Sequence, residues 1–387
     1  MSILSPGLFS CPTRLAFGPG VLDTLPGIIA ENAWERLLVV LDPALQNTPL
    51  WTLISELLTG CGVATQVFTE LEPEPKDTSV AAGIAAARTI GAQAILAIGG
   101  GSAIDVAKAI GIVQSNGGVI SDYEGIEAFR IRPLPLIAVP TTAGTGSEVS
   151  GAAVITDTAR GVKMAIRHAA WGPAQYALLD PHAVASLPAH VAVNAGVDAF
   201  VHAFESYVSK RANMASDAVN LHAMRLISGN IRAFVADRTD VDAALSMQVG
   251  SSLAALSFGT TGLGNVHCMA MSLGGFFPVP HGLANAMCLP HVARFNRAIC
   301  HDRYAEIARA MGVAGPDMSA GEAADATVLA IEAICADLGV DRRLSQEGVE
   351  RQMVGPMARR SFELDYNRWN PRYTTEDDFR ELFEAAI

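Results

Sequence analysis

Short apolar runs alternate with segments of helical periodicity in the first half of the chain. Runs such as residues 36–42 and 94–98 are each followed by a stretch in which apolar residues recur with the period of an α-helix. This alternation predicts a mostly parallel β-sheet with helices on both faces. The predicted strands are residues 36–42, 63–68, 94–98, 134–139, 152–156, 162–167 and 176–179, and the predicted helices are 49–60, 78–90 and 102–115.

The pattern changes after about Pro181, where strand-like runs almost disappear. Residues 191–209 and 214–235 show helical spacing over long stretches rich in alanine, leucine and methionine. We therefore predict an α/β domain with a Rossmann-like parallel sheet over residues 1–183 and an all-helical domain over residues 184–387. The length of 387 residues agrees with two domains, at roughly 100–200 residues each.

The composition argues against two classes of protein, disordered proteins and nucleic-acid-binding proteins. Hydrophobic residues make up 50% of the chain and charged residues 17%, which is too apolar for a disordered protein. With 27 basic and 39 acidic residues, the net charge of -12 argues against a nucleic-acid partner, since such proteins carry a basic surface.

No signal for export or membrane insertion is found. The six cysteines include no C-x-x-C pair and are too few for a disulfide scaffold, so we expect a cytoplasmic protein. Residues 1–20 lack a basic segment followed by an apolar one, and no signal peptide is predicted. Asp105 and Lys108 interrupt the most apolar stretch, residues 94–113, so no membrane partner is expected.

A glycine-rich turn follows the third predicted strand, where residues 98–105 read I-G-G-G-S-A-I-D. Gly99, Gly100 and Gly101 remove side chains where a backbone approaches a ligand. The helix that opens at Ser102 offers N–H groups suited to a pyrophosphate. The same residues are equally consistent with a tight turn in which Ser102 caps the helix.

A loop rich in hydroxyl groups follows the fourth predicted strand and reads V-P-T-T-A-G-T-G-S-E over residues 139–148. Thr141, Thr142, Thr145 and Ser147 lie at the expected carboxyl end of a parallel strand, where open α/β sheets bind ligands. The alternative is a turn whose hydroxyls bond their own backbone. Two such loops on one sheet edge favour a nucleotide.

Asp42 lies at the end of the first predicted strand. A carboxylate there accepts hydrogen bonds from a ribose diol and repels a 2′-phosphate, which favours NAD over NADP. A turn or helix-cap aspartate before Pro43 is an equally good interpretation.

Four candidate metal ligands occur in the second half of the chain. Asp198 and His202 are four residues apart, a spacing that places both on one face of a helix. His267 and His281 follow, the latter in an expected loop. One carboxylate and three imidazoles suit Fe(II), Zn(II) or another divalent transition metal. Glu205 is expected on a solvated helix face, with orientation of a ligand as the alternative.

Taken together, these motifs resemble the iron-dependent (group III) alcohol dehydrogenases. The shared segments are G-G-G-S-x-x-D, P-T-T-A-G-T-G-S-E, G-V-D-A-F-V-H-A-F-E and H-C-M-A-M-S-L-G-G-F-F-P-V-P-H-G, in this order between about residues 42 and 296. Residues 370–377 add a match near the C-terminus. The resemblance implies a dinucleotide-binding α/β domain followed by an all-helical domain, as in dehydroquinate-synthase-like proteins.

The resemblance also implies residue roles and a homodimer, which we expect to form through an edge strand near residues 13–17. NAD would lie along the glycine loop, and Lys163 would reach the cofactor ribose. The residues implied at the pyrophosphate are Gly99, Gly100, Gly101, Ser102 and Asp105, and those implied beside the phosphates and nicotinamide are Thr141, Thr142, Thr145 and Ser147. The residues implied to hold the metal, Fe(II) or Zn(II), and to act in catalysis through it are Asp198, His202, His267 and His281.

Two positions depart from the family pattern. Met271 stands where members often carry a histidine, so a proton relay through an imidazole is lost and a more apolar pocket is expected. Glu74 stands in P-E-P where members often have P-N-P. Because an acid is unfavourable near phosphates, we expect Glu74 to turn outward.

The predicted function is NAD-linked alcohol dehydrogenation. Hydride would pass reversibly between the nicotinamide and a primary alcohol or its aldehyde, or a hydroxy acid and its oxo acid, with a metal polarising the substrate oxygen. Two alternatives remain. A maleylacetate reductase-type enzyme of the same fold works without a metal, which the complete ligand set disfavours. A non-catalytic protein would bind nucleotide and metal without turnover.

Overall fold

The computed structural model describes residues 9–72 and 74–387. The prediction that no signal peptide is present rests partly on the first eight residues, which lie outside the described residues. The chain divides into two compact units, one of residues 10–187 and one that includes residues 188–387.

The first unit is built on a six-stranded parallel sheet. The strands of this unit are β1 (Arg14–Phe17), β2 (Arg36–Leu41), β3 (Ala64–Phe68), β4 (Ala94–Gly99), β5 (Gly125–Ile126), β6 (Leu136–Pro140), β7 (Ala152–Asp157), β8 (Val162–Arg167) and β9 (Tyr176–Leu179). The large sheet has the order β1-β9-β6-β4-β2-β3 with every neighbouring pair parallel. A second sheet has the order β5-β8-β7. The predicted Rossmann-like α/β class is confirmed.

Helices cover both faces of the large sheet because its central strands are apolar at every position except Arg36. The helices of this unit are α1 (Leu25–Glu31), α2 (Pro49–Gly60), α3 (Asp77–Ile90) and α4 (Gly101–Asn116). Successive strand residues point to opposite faces. Leu38 and Val40 of β2 pack in a core with α3 and α4, whereas Leu37 and Val39 pack in a core with α1 and α2.

The carboxyl ends of the central strands meet at one edge of the sheet. Leu41 of β2 aligns with Ile98 of β4, and Gly99 of β4 aligns with Pro140 of β6. The loops that follow these three strands are therefore neighbours. They contain Asp42, the glycine turn and the hydroxyl-rich loop, so the nucleotide candidates share one edge.

The second unit is helical. Its helices are α5 (Ala189–Val208), α6 (Met214–Ala236), α7 (Val241–Thr261), α8 (Asn265–Phe276), α9 (His281–Arg297), α10 (His301–Ala310), α11 (Ala320–Asp337), α12 (Val354–Glu363) and α13 (Glu376–Ala386). The expected change to an all-helical C-terminal region is confirmed. A search of the described helices finds none with the length and apolar character of a membrane span.

Candidate functional site

The glycine turn brings three loops of the first unit into contact. A Cβ atom on Gly99 would lie 2.6 Å from Cβ of Ala103 and 3.1 Å from Cβ of Asp42, and one on Gly101 would lie 2.9 Å from Cγ2 of Thr145. A side chain at either position would therefore push the glycine turn away from its neighbours. The N-cap of α4 is Gly100, which has no side chain to cap the helix. The interpretation of Ser102 as the cap is wrong, because the helix already begins at Gly101.

The hydroxyl-rich loop is tied to α4 by a buried polar cluster. Ser147 Oγ donates a 2.5 Å hydrogen bond to Asp105 Oδ1, and the backbone N–H of Val154 donates to Asp105 Oδ2 at 2.9 Å. Lys108 Nζ lies 3.9 Å from Asp105 and donates to Ser147 Oγ at 3.2 Å. Burial raises the pKa of Asp105 and lowers the pKa of Lys108 to about 8. Asp105 and Ser147 thus bond each other and position this loop.

The remaining hydroxyls of the loop differ in exposure. Thr141 is buried, Thr142 is half-buried and Thr145 is exposed. Thr145 Oγ1 accepts from the backbone N–H of Ser147 at 3.2 Å. This bond agrees with the alternative interpretation, a turn whose hydroxyls bond the backbone of the same loop. A threonine hydroxyl retains a donor after such a bond, so Thr145 can still bind a ligand.

Asp42 caps a turn. Its Oδ1 accepts from the backbone N–H of Ala44 at 3.0 Å, at the start of the short 3-10 helix Pro43–Leu45. The capping interpretation is therefore observed. One such bond does not exhaust the acceptors of a carboxylate, so contact with a ribose diol is compatible with it.

Lys163 and Glu74 form an exposed ion pair. The Nζ of Lys163, on β8, lies 2.8 Å from Oε1 of Glu74, and their side chains are 60% and 63% exposed. Glu74 is on the surface, as expected for an acid that departs from the family pattern. The pairing of Glu74 with Lys163 has no signal in the local sequence, because the two residues are distant along the chain.

The four candidate metal ligands lie together in the second unit. His202, His267 and His281 place Nε2 at 3.7, 3.8 and 3.8 Å from Oδ1 of Asp198. One ligand atom each from Asp198, His267 and His281 lie within 4.8 Å of one another. Since metal–ligand bonds to nitrogen and oxygen are about 2.0–2.2 Å, such spacings suit atoms arranged around one cation. The donor set therefore fits a divalent transition metal.

Three helices supply these ligands. Asp198 and His202 are one turn apart on α5, His267 is near the start of α8, and His281 is the first residue of α9. The expectation of a loop at His281 is wrong. Gly282 is needed for close packing, because a Cβ there would lie 2.2 Å from the backbone oxygen of Asn194 on α5.

Glu205 fixes the orientation of His267. Its Oε2 accepts from Nδ1 of His267 at 2.6 Å, and its Oε1 accepts from the backbone N–H of Val266 at 2.6 Å. With Nδ1 protonated, the Nε2 electron pair of His267 points toward Asp198. Glu205 is 2% exposed, so the predicted solvated helix face is wrong and the alternative, orientation of a ligand, is the observed arrangement. Burial raises the pKa of Glu205 to about 7.

The electrostatics favour the ionised form of Asp198 and the neutral form of His267. Burial alone would raise the pKa of Asp198, but His202, His281, His267 and a hydrogen bond from Asn285 outweigh it and lower that pKa. Burial, together with the two neighbouring imidazoles, holds the pKa of His267 well below its usual value. A carboxylate and a neutral imidazole are the forms that ligate metals.

Met271 lies one turn beyond His267 on α8, and 41% of it is exposed. A thioether therefore lies one helical turn from a candidate ligand. Phe258 of α7 packs against His202, with their ring centroids 4.7 Å apart.

One unit carries a Rossmann-like sheet edge as a candidate nucleotide site, and the other carries a carboxylate–histidine cluster as a candidate metal site. The model of the family "Iron-containing alcohol dehydrogenase" matches residues 12–181. The model of the "Fe-containing alcohol dehydrogenase family, C-terminal" matches residues 192–387. The chain belongs to the iron-containing alcohol dehydrogenase family of oxidoreductases, and the resemblance found in the motifs is confirmed.

Individual relatives match over nearly the whole chain. The NAD-dependent methanol dehydrogenase of Bacillus methanolicus is 33% identical over 98% of this chain and 99% of its own length. The crystal structure of a 1,3-propanediol oxidoreductase has a TM-score of 0.95 at 34% identity, covering 99% of this chain and 100% of that one. Sulfoacetaldehyde reductase from Bifidobacterium kashiwanohense, solved in complex with NAD+, has a TM-score of 0.90 at 27% identity, covering 99% of both chains.

Proposed function

We propose that the chain is an NAD-linked, metal-dependent dehydrogenase that transfers hydride reversibly between a primary alcohol and its aldehyde. The observation that carries this proposal is the cluster of three imidazole Nε2 atoms at 3.7, 3.8 and 3.8 Å from one buried carboxylate oxygen. A maleylacetate reductase-type activity without a metal would not need this set, and no feature of the described residues favours it.

The proposed ligands are Asp198, His202, His267 and His281, for Fe(II) or Zn(II). When bound, such a cation polarises the substrate oxygen and stabilises the negative charge that develops on it. The protein's own contribution is to hold the ligand atoms close together and to fix the orientation of His267. Glu205 does this for His267, because it holds the proton on Nδ1 and leaves Nε2 as the ligand atom.

The proposed NAD site follows the carboxyl edge of the large sheet. Gly99, Gly100, Gly101 and Ser102 would receive the pyrophosphate at the start of α4. Thr141, Thr142 and Thr145 would flank the phosphates and nicotinamide, while Asp105 and Ser147 hold their loop in place.

Two charged residues would set the contacts to the ribose groups. Asp42 would accept from a ribose diol and disfavour a 2′-phosphate, giving a preference for NAD over NADP. Lys163 would reach the other ribose by exchanging its exposed pair with Glu74 for a cofactor hydroxyl.

The proposed substrates are small or medium aliphatic alcohols, diols and hydroxy acids, with their aldehydes and oxo acids. Phe258 against His202 and Met271 one turn from His267 supply apolar surface near the proposed ligands. The named relatives act on methanol, 1,3-propanediol and sulfoacetaldehyde, which are all small. Because position 271 carries no imidazole, the proton would leave through water or a cofactor hydroxyl.

We further propose a cytoplasmic homodimer joined through β1. This strand ends the large sheet, with β9 as its partner on the inner side, and the open side of a terminal strand presents backbone groups that can pair with another chain. Phe17 on β1 is 58% exposed. Light scattering of the purified protein would give the mass of a single chain if this proposal is wrong.

The test of the proposed reaction is NADH formation by protein prepared without oxygen, stripped of metal and then restored with Fe(II) or Zn(II). We expect turnover of primary alcohols and diols to return with one of the two metals. His267→Ala should abolish it, while His301→Ala, which alters a histidine outside the cluster, should not. Tight NAD binding without turnover under either metal would contradict the proposal and favour a non-catalytic binding protein.

A further inference from the structure

Asn285 occupies the centre of the ligand cluster, although it belongs to none of the sequence motifs used to find the site. It lies on α9 one turn after His281 and is fully buried. Its Nδ2 donates a 2.7 Å hydrogen bond to Oδ1 of Asp198. The same Nδ2 lies 3.2 Å from Nε2 of His281 and 3.4 Å from Nε2 of His267.

We propose that Asn285 is a positioning residue that orients Asp198, His267 and His281 for cation binding. This inference rests on the metal role proposed above. Each atom that faces the amide nitrogen is an electron-pair donor that a cation would use, and an amide N–H₂ group offers only protons to them. The amide nitrogen has two protons, so beyond the 2.7 Å bond to Asp198 it can donate to one imidazole at a time, and it holds the three ligand atoms around one point.

The other end of the amide shows which partners set its orientation. Asn285 Oδ1 is buried and has no hydrogen-bond partner among the described residues. Turning the amide over would place this oxygen 2.7 Å from the Asp198 carboxylate, where two acceptors repel. The side chain thus leaves an unpaired oxygen, which is unfavourable, in order to keep its donors on the ligands.

The bond to Asp198 is the part that persists once a cation is bound. A carboxylate oxygen has two electron pairs, so Oδ1 can accept from Asn285 and ligate a cation at the same time. The longer contacts to His281 and His267 would be given up when these imidazoles hold a cation. Residues that hold ligands in this way change metal affinity by about 10- to 100-fold when they are removed.

The experiment compares metal affinity in wild type, Asn285→Ala and Asn296→Ala by titrating Co(II) or Zn(II) against a competing chelator. Asn296 is a matched control: it is buried on the same helix and exchanges 2.9 Å hydrogen bonds with Asn370. We expect Asn285→Ala to weaken binding by about 10- to 100-fold and to shift the Co(II) absorption bands. Asn296→Ala should alter stability and leave the affinity and the bands unchanged.

The outcomes separate this inference from the proposed function. If wild type binds neither metal, the proposed function fails. If wild type binds but Asn285→Ala matches it, binds more tightly, or loses no more affinity than Asn296→Ala, then the role of Asn285 is wrong. Asn285→Leu, which keeps the volume and removes the donors, gives the same readout should the alanine variant not fold.

Discussion

Replacing Glu205 with glutamine tests how the cluster selects the imidazole tautomer. The carboxylate accepts three N–H groups: Nδ1 of His267 at 2.6 Å, the backbone N–H of Val266 at 2.6 Å and that of His267 at 3.4 Å. Glutamine has one oxygen and one N–H₂ group in the same shape. If the oxygen keeps Val266, the N–H₂ group faces Nδ1, so His267 must adopt the tautomer that carries its proton on Nε2. That tautomer has no electron pair on Nε2, the atom that faces Asp198, with which to bind a cation.

The expected magnitude follows from the single bond that is lost. A hydrogen bond to a charged group contributes about 1.5–3 kcal/mol, and each 1.4 kcal/mol corresponds to about tenfold in a binding constant. We therefore expect Glu205→Gln to weaken metal binding by roughly 10- to 100-fold, which agrees with the usual effect of residues that support metal ligands.

The assay is a chelator-competition titration with Zn(II) or anaerobic Fe(II). Ser206→Ala is the matched control, since Ser206 is the next residue on α5, is fully buried, and has a hydroxyl without a partner among the described residues. Ser206→Ala should bind metal as wild type does. A Glu205→Gln protein with unchanged affinity would refute the tautomer argument.

The pH dependence of wild type provides a second check on Glu205. Its folded pKa is raised from 4.5 to about 7 by burial, so the ionised form that holds His267 is lost as the pH falls through about 7. Metal affinity should decline there more steeply in wild type than in Glu205→Gln.

In metal-free protein the same shift in the pKa of Glu205 means that the folded state binds more protons than the unfolded state between pH 4.5 and about 7. The contribution of Glu205 to the free energy of unfolding therefore decreases as the pH rises across that range.

Three further predictions concern other parts of the chain. Met271→His should introduce an ionisation near pH 6.5 into the pH profile of kcat; an unchanged profile would show that position 271 does not face the reaction. Asp42→Gly should raise the ratio of kcat/KM with NADP to that with NAD, and a fixed ratio would exclude a ribose contact. Lys108→Met should lower the free energy of unfolding by about 3–5 kcal/mol in urea, because it removes the counter-ion of Asp105 and the donor to the backbone oxygens of Ser150 and Ala152. The double variant with Asp105→Asn should recover much of that loss, and equal losses in both would contradict the pairing argument.

The elements that the sequence pattern predicted are those whose apolar residues form a continuous run, alternate along a strand or recur with the period of a helix. Helix Pro49–Gly60 and strands Val162–Arg167 and Tyr176–Leu179 have the predicted bounds. The apolar run of β4 is buried at every position, so it stands out from its flanks. Strand β1 is half-exposed and only four residues long, so no apolar period marks it, and the expectation of an edge strand near residues 13–17 came only with the family resemblance.

The ligands of the candidate metal site could be predicted because a carboxylate or an imidazole is recognised as a candidate ligand by its residue type alone. The error at His281 shows the limit of local cues. Pro280 and Gly282 look like a loop, yet Pro280 is the N-cap of α9, where a backbone N–H would have no partner within the helix. The glycine is explained by the approach of α9 to the Asn194 carbonyl on α5, a contact between segments far apart in sequence.

The residues that support the ligands could not be predicted from their spacing along the chain, because their contacts are made with a different helix. Glu205 looks like any surface acid until α8 brings Val266 and His267 against it. That approach in turn requires Gly264, where a Cβ would lie 3.0 Å from Oε1 of Glu205. The electron pair that His267 offers is therefore decided by a carboxylate and a glycine that are not ligands. Residue types in a sequence can indicate that a metal site exists, whereas its protonation state follows only from the packing between helices.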